Sequence, residues 1–307
     1  MHIRNPLFMC LLFLISLMNL NAAENSRQTS RLVSAEWLID HFNDPALVIF
    51  HVGGKKSFDS AHIPGAQYLS LRELMVMENA GGLLHEIPPV EQVTGHLKEL
   101  GVTDSSVIVL YHEEEGLLPS TARIFMTLDV LGIGKSVAIL DGGFQQWNSL
   151  DNTPQEKPPI SKPGALTAHP KDNVLIDTKW LSENFSRRGI FVIDARPEDH
   201  YLGRSNPHDF PREGHIKGSF NIPFYILVKE DLPHLFKEPE ELQAIFTDIG
   251  IQDSSVLVIY CNTGFWAAQV YFIARYLGYD VRFYDPAFQQ WSADKSLPVI
   301  GPADFGL

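Results

Sequence analysis

The chain repeats itself. Gly101-Val-Thr-Asp-Ser-Ser-Val-Ile-Val-Leu-Tyr111 returns as Gly250-Ile-Gln-Asp-Ser-Ser-Val-Leu-Val-Ile-Tyr260, and His62-Ile-Pro-Gly as His215-Ile-Lys-Gly. Phe144-Gln-Gln-Trp147 returns as Phe288-Gln-Gln-Trp291. Three matches in the same order mean a duplicated unit, so two similar domains are expected, over residues 31–151 and 173–301. Between them, residues 152–172 include Thr153-Pro-Gln-Glu-Lys-Pro-Pro-Ile-Ser-Lys-Pro-Gly164, whose proline and polar content reads as a semi-rigid linker. Each half alternates short apolar runs with helical spacing. Residues 46–50, 106–110 and 136–140 read as strands, as do 190–193, 256–260 and 280–284. Ser34 and Asp177 each open a helical pattern. This alternation predicts an α/β fold, each half a mostly parallel sheet with helices on both faces.

One run stops at a cysteine. Val256 to Tyr260 leads into Cys261-Asn-Thr-Gly264-Phe-Trp266-Ala267-Ala268, and a helical pattern from Gln269 to Leu277 follows, apolar at 270, 273, 274 and 277. Cys261 is thereby expected at the carboxyl end of a strand, facing the amino end of a helix, where open α/β sheets bind ligands. Backbone N–H groups without helical partners converge there, and Gly264 can take positive φ, so the loop suits an anion. A helix terminus can contribute up to about 2 kcal/mol, or about 1.5 pKa units, which would leave roughly half of such a thiol ionised at neutral pH.

The first 23 residues read as a secretory leader: His2 and Arg4, an apolar run from Leu7 to Met18, then Asn19-Leu-Asn-Ala-Ala23. The run is shorter than the roughly 20 residues needed to span a bilayer, so export, to a bacterial periplasm, is expected, without stable membrane insertion after cleavage. Of the two cysteines, Cys10 leaves with the leader, so Cys261 has no partner for an internal disulfide. The formal net charge of −13 gives no electrostatic support for nucleic-acid binding. No His/Cys spacing suggests a metal and no Gly-x-Gly-x-x-Gly suggests a nucleotide, so no cofactor is expected.

Asp194-Ala-Arg196, Gly214-His-Ile-Lys-Gly-Ser-Phe-Asn-Ile-Pro223, the cysteine loop and Leu140-Asp-Gly-Gly-Phe-Gln-Gln-Trp147 stand in an order that resembles the rhodanese family of sulfurtransferases in its two-domain form, across essentially all of the chain after the leader. The resemblance implies two α/β domains with a catalytic cysteine only in the second. It also implies a ping-pong reaction in which Cys261 takes sulfane sulfur from a donor, becomes a persulfide and passes the sulfur to cyanide or a thiol. His112, followed by Glu113-Glu-Glu-Gly116, stands at the matching place in the first half. A histidine cannot carry sulfane sulfur, and three carboxylates repel an anion, so the first half is expected to be a scaffold covering one side of the cleft. The six residues from Cys261 to Trp266 match the loop of the sulfurtransferases; relatives that act on phosphate have one more.

Substrate contacts are expected from the loop residues Asn262, Thr263, Gly264, Phe265, Trp266 and Ala267. The chain also departs from the family. Asn262 and Thr263 follow the cysteine where thiosulfate-using relatives carry basic residues and mercaptopyruvate-using ones carry Gly-Ser. His200 stands four residues after Arg196, where both types place an arginine, and Asp285-Pro-Ala replaces Asp141-Gly-Gly143. Arg196, His200, Arg204 and Arg212 are therefore the candidates for orienting an anionic donor. Thiosulfate is the default donor and 3-mercaptopyruvate the alternative; a non-catalytic sulfur-relay module is the rival from another class. Phe265 is expected to form an apolar wall beside the sulfur and Trp266 to anchor the loop.

Overall fold

The computed structural model describes residues 31–133, 136–151, 153–157 and 162–305; the leader expected over residues 1–23 and part of the linker lie outside the described residues. The first repeat contributes β1 (Leu32–Val33), β2 (Leu47–Val52), β3 (Gln67–Tyr68), a hairpin of β4 (Val76–Glu78) and β5 (Leu84–Glu86), then β6 (Val107–His112) and β7 (Val137–Leu140). The second contributes β8 (Leu175–Ile176), β9 (Ile190–Asp194), β10 (His215–Ile216), β11 (Phe220–Asn221), β12 (Val256–Tyr260), β13 (Asp280–Tyr284) and β14 (Val299–Ile300). Each repeat forms a five-stranded sheet, ordered β1-β7-β6-β2-β3 and β11-β9-β12-β13-β8, the same order read from opposite ends. Every pairing within the two sheets is parallel.

Strand chemistry explains the centre of each sheet. All six residues of β2 are buried, as are the last four of β12, which suits continuous β-branched runs covered on both faces. β2 and β6 run further than their apolar patterns because the ladder continues through His51 with Tyr111 and Val52 with His112. The two-residue edge strands β1, β3, β8 and β11 are too short to leave a period in the sequence. Ser34 and Asp177 cap their helices as the pattern predicts, accepting from Trp37 N at 3.2 Å and Trp180 N at 2.7 Å.

The helices that follow β6 and β12, Leu118–Val130 and Phe265–Tyr276, pack against each other across the domain seam. The spacing in the sequence predicts a one-sided apolar stripe on the second helix, yet every residue from Ala267 to Ala274 is buried. Its far side is covered by the other domain, with Phe125 edge-on to Phe272 at 4.9 Å. One apolar cluster runs through both domains at this seam. Nor does the linker hang between the domains: Gly164 N donates to Lys98 O at 2.8 Å, His169 N to Leu131 O and Lys171 N to Val130 O, strapping it to the first.

At the seam sits Asp129, fully buried, accepting from the Tyr271 hydroxyl and paired with Lys171 Nζ at 2.7 Å and Arg275 Nε at 3.3 Å. Burial pushes its carboxyl up, but Arg275, Lys171 and the tyrosine outweigh that and hold it below its ordinary value. Asp129→Asn removes the negative partner of two cations and is expected to cost about 3 kcal/mol in chemical unfolding. A carboxylate held low in the folded state stabilises fully above its unfolded value and loses that contribution as pH falls through the folded one. The difference between wild type and variant should therefore narrow below about pH 4.

Candidate active site

Cys261 follows β12, the central strand of its sheet, and its residue is 2% exposed. The loop is shorter than the sequence pattern indicates. The helix starts at Phe265 rather than Gln269 because Gly264 takes φ of 102° and turns the chain directly into it. Gly264 N donates to Cys261 Sγ at 3.0 Å, and the N–H groups of Thr263 and Ala267 also favour negative charge on the sulfur. The carbonyls of the loop are tied down by the helix Ala287–Ala293: Phe288 N donates to Cys261 O at 2.9 Å and Gln289 N to Asn262 O at 3.3 Å. Burial nevertheless pushes the thiol above its ordinary value, against those three N–H groups. The half-ionised resting thiol expected from a helix terminus alone is thus corrected, because removing a thiolate from water costs more than the terminus returns.

Two of the three candidate arginines are engaged in the fold. Arg196 is bidentate to Asp194, with Nε at 2.9 and 3.0 Å from its two oxygens and Nη2 at 2.6 Å, and Nη2 also donates to Gly214 O. Its plane lies over Phe288 at 4.0 Å, leaving Nη1 to reach Asn262 Oδ1 at 3.5 Å. Arg196 therefore holds the loop through Asn262 rather than presenting a free fork to a donor. Arg212 is a correction to the expected set. It donates to the backbone carbonyls of Trp291, Ser292, Asp294 and Leu297, and so closes the end of the helix Ala287–Ala293. Arg204 is half-exposed beside Asp199 at 3.9 Å, a contact that places it in solvent and not on the cysteine loop. His200 does reach the loop, with Nδ1 3.3 Å from Asn262 Nδ2, but burial and Arg196 push its pKa down, so it meets a donor as a neutral ring. Trp266 stacks on Phe224 with ring centres 5.1 Å apart, and Phe265 faces the other domain.

That domain supplies what the sequence did not reveal. The β4–β5 hairpin lies over the cysteine loop: Leu84 exchanges two hydrogen bonds with the Gln289 amide, at 3.1 and 3.0 Å, and Ile87 N donates to Asp285 Oδ2 at 3.1 Å. Between them His85 takes φ of 66°, which brings its ring edge-on to Phe265 at 4.6 Å and Nδ1 to 3.0 Å from Thr263 Oγ1. Burial, then Arg123 and His208, push His85 down to about 4, so the ring is neutral at pH 7 and can accept the Thr263 hydroxyl proton. A cavity of about 340 Å³ opens beside His85 and Phe265, with Arg72, Ser120, Met75 and Met77 in its wall. Arg123, fully buried, donates to His85 O and Asp285 Oδ1. In the sequence the only signal for it is a cation just before the apolar run Ile124-Phe-Met126.

Two tandem parallel α/β domains with a cradled cysteine at the end of one central strand define the class. A family model described as the rhodanese-like domain matches residues 34–150 and 177–294. The 3-mercaptopyruvate sulfurtransferase of Escherichia coli K12 is 30% identical over 285 residues, 88% of this chain and 98% of that protein. The thiosulfate sulfurtransferase of Rattus norvegicus is 26% identical over 275 residues, 85% of this chain and 91% of that one. SseA from Escherichia coli, solved as a 3-mercaptopyruvate sulfotransferase, superposes with a TM-score of 0.69 at 27% identity, over 85% of this chain and 99% of that chain. The anaerobic ergothioneine biosynthesis enzyme of Chlorobium limicola shares the fold, with a TM-score of 0.74 at 21% identity over 89% of this chain and 71% of that chain. The chain belongs to the rhodanese family.

Two outcomes follow from the cradle. A Cβ on Gly264 would lie 2.6 Å from Arg123 Nη1 and force a left-handed alanine, so Gly264→Ala should cost about 2 kcal/mol in thermal or urea unfolding. With the thiol held high by burial, the rate of Cys261 alkylation by iodoacetamide should still be climbing at pH 9.0, the ordinary thiol value, instead of levelling near neutrality.

Proposed function

We propose that the protein is a sulfurtransferase that moves sulfane sulfur from a small anionic donor to cyanide or a thiol through a persulfide on Cys261. The observation that carries this reading is the sulfur itself, at the end of β12 with Sγ 3.0 Å from Gly264 N and further N–H groups around it. Sulfur is the only group on that loop able to accept a second sulfur. The N–H cradle supplies fixed dipoles for its anion without a counter-ion that would have to move. With thiosulfate, the Cys261 thiolate attacks the outer sulfur; a sulfur–sulfur bond forms, another breaks, and sulfite leaves with the electron pair. Cyanide then takes the outer sulfur as thiocyanate and returns the thiolate.

The pairing of His85 with Thr263 favours 3-mercaptopyruvate as donor. In that reaction the Cys261 thiol and the donor become the persulfide Cys261–S–SH and pyruvate. The Sγ–S bond forms, the S–C bond breaks with its electrons going to carbon, and one proton must reach that carbon. A hydroxyl hydrogen-bonded to a neutral imidazole can take the proton released as the sulfurs join and give it to the leaving enolate. Thiosulfate needs no such transfer, since sulfite leaves as a stable anion. The leader pattern of residues 1–23 supports action after export, into a bacterial periplasm, which cell fractionation would check.

Intact mass after exposure to each donor should show a gain of about 32 Da that cyanide removes and Cys261→Ala abolishes. No gain with either donor would sink the sulfurtransferase reading. With 3-mercaptopyruvate, kcat should hold on the acid side and fall as His85 takes a proton near pH 4. An acid limb unchanged by His85→Gln would remove the ring from the reaction.

A further inference from the structure

His85 is an awkward residue to hold in place. It sits inside β5 with a left-handed φ of 66°, a conformation that costs a residue bearing a Cβ on the order of 1–2 kcal/mol, yet that backbone is what aims its ring at Thr263. Strain of this kind persists only where the surroundings over-determine it. The carbonyl of His85 has one side-chain donor, Arg123 Nη2, and the same nitrogen donates to Asp285 Oδ1 at 2.9 Å. Asp285 in turn accepts from Ile87 N at 3.1 Å, two residues beyond His85. One guanidinium nitrogen thus fastens the strained residue from below, and its carboxylate partner fastens the strand just after it.

Arg123 keeps this position at a cost. It is fully buried, its Nε and Nη1 have no hydrogen-bond partner among the described residues, and a Cβ on Gly264 would lie 2.6 Å from Nη1. An arginine kept only for stability would be expected to satisfy those donors or give way to an apolar residue. Its guanidinium also lies 5.2 Å from the ring centre of Phe283 on β13, which limits where the fork can swing.

We infer that Arg123 is a positioning residue of the first domain: through the His85 carbonyl and Asp285 it holds the His85 ring on Thr263, and so sets the preference for donors whose leaving fragment must take up a proton. The inference rests on the sulfurtransferase reading above and deepens it. It makes a repeat that has no cysteine a determinant of which donor the other repeat uses.

The test is a double-mutant cycle on the full chain with two donors, cyanide serving as acceptor. Arg123→Lys keeps a cation for Asp285 but lacks the planar guanidinium whose Nη2 lies between the His85 carbonyl and Asp285. Its kcat with 3-mercaptopyruvate should fall by about tenfold or more, and the ratio of the kcat values for 3-mercaptopyruvate and thiosulfate should fall with it. In a His85→Ala background the same substitution should change kcat for 3-mercaptopyruvate by less than about twofold, because its route of action is already gone. Equal loss with both donors, or effects of the two substitutions that multiply, would mean that Arg123 merely supports the fold, and would overturn the inference. So would a wild type that turns over thiosulfate alone, since no step would then need His85. Should Arg123→Lys fail to fold, Asp285→Asn frees the other end of the clamp while keeping an acceptor for Ile87 N, and must reproduce the donor-selective loss. A wild type that gains no sulfur from either donor is the separate failure of the sulfurtransferase reading.

Discussion

A sulfur anion removed from water is the constraint on which the site depends. Cys261 is almost wholly buried, and desolvation drives its thiol toward the neutral form. Any charge that forms there has to be met by groups already in place, which is why the site is made of backbone. A strand end and a helix start bring N–H groups of residues 263, 264 and 267 onto one atom, and that convergence requires a turn only glycine makes without strain. It also explains why Arg196 is engaged with Asp194 and Gly214. A guanidinium free to swing could pair with the sulfur in some molecules and with solvent in others, whereas one tied at three points holds Asn262 and keeps the loop shape fixed.

The two repeats solve the same packing problem with different charges. His51, one residue before the end of β2, stands where Asp194 ends β9, and Gly53 stands where Arg196 does. No ion pair replaces that of Asp194 with Arg196: burial pushes the His51 ring below its ordinary value, so a neutral imidazole lies with Nε2 3.3 Å from Glu113 Oε2, on the loop that matches Asn262. His112, in the place of Cys261, is buried with neither ring nitrogen hydrogen-bonded to any described residue, and desolvation pushes it down to about 4. A neutral ring thus fills the strand-end space that the sulfur occupies in the other half. Lengthening of the loop from Glu113 to Gly116 then gives the helix Leu118–Val130 a proline in its first turn in place of a glycine-initiated start.

How much of this could be read from the sequence depended on whether the signal was local. Central strands announce themselves by unbroken β-branched runs, so β12 and β13 fall where the pattern places them, and Cys261 follows β12 for the same reason. The start of the following helix was misplaced by four residues because its first turn, Phe265-Trp266-Ala267-Ala268, is apolar on all sides. It is covered by the sheet, by Phe224 and by the other domain at once, so it has no polar face to mark a period. Arg212 looked like a donor ligand because an arginine on a loop is usually solvent-facing. Four carbonyls at the end of one helix use it instead. His85 and Arg123 left almost no trace, since their meaning arises only when Leu84 and Gln289, about two hundred positions apart in the chain, become neighbours.

The seam itself shows what the repeat without a cysteine contributes. Each domain offers the aspartate that follows its β7 or β13 strand to a segment of the other: Asp141 Oδ1 accepts from Phe236 N, and Asp285 Oδ2 from Ile87 N, both at 3.1 Å. The two contacts differ in what stands behind them. Arg123 backs Asp285 with a full charge, while at the matching position on the other helix Gln269 gives only an amide, spent on Phe224 O at 3.1 Å. Without a buried cation, desolvation pushes the Asp141 carboxyl up to about 6. A carboxyl raised in the folded state favours folding while it is protonated and costs stability once pH passes its folded value. At neutral pH the penalty for burying a carboxylate therefore falls on the scaffold side of the seam. On the catalytic side the same geometry is charge-matched, because Arg123 pairs with Asp285 at 2.9 Å beside the hairpin that carries His85.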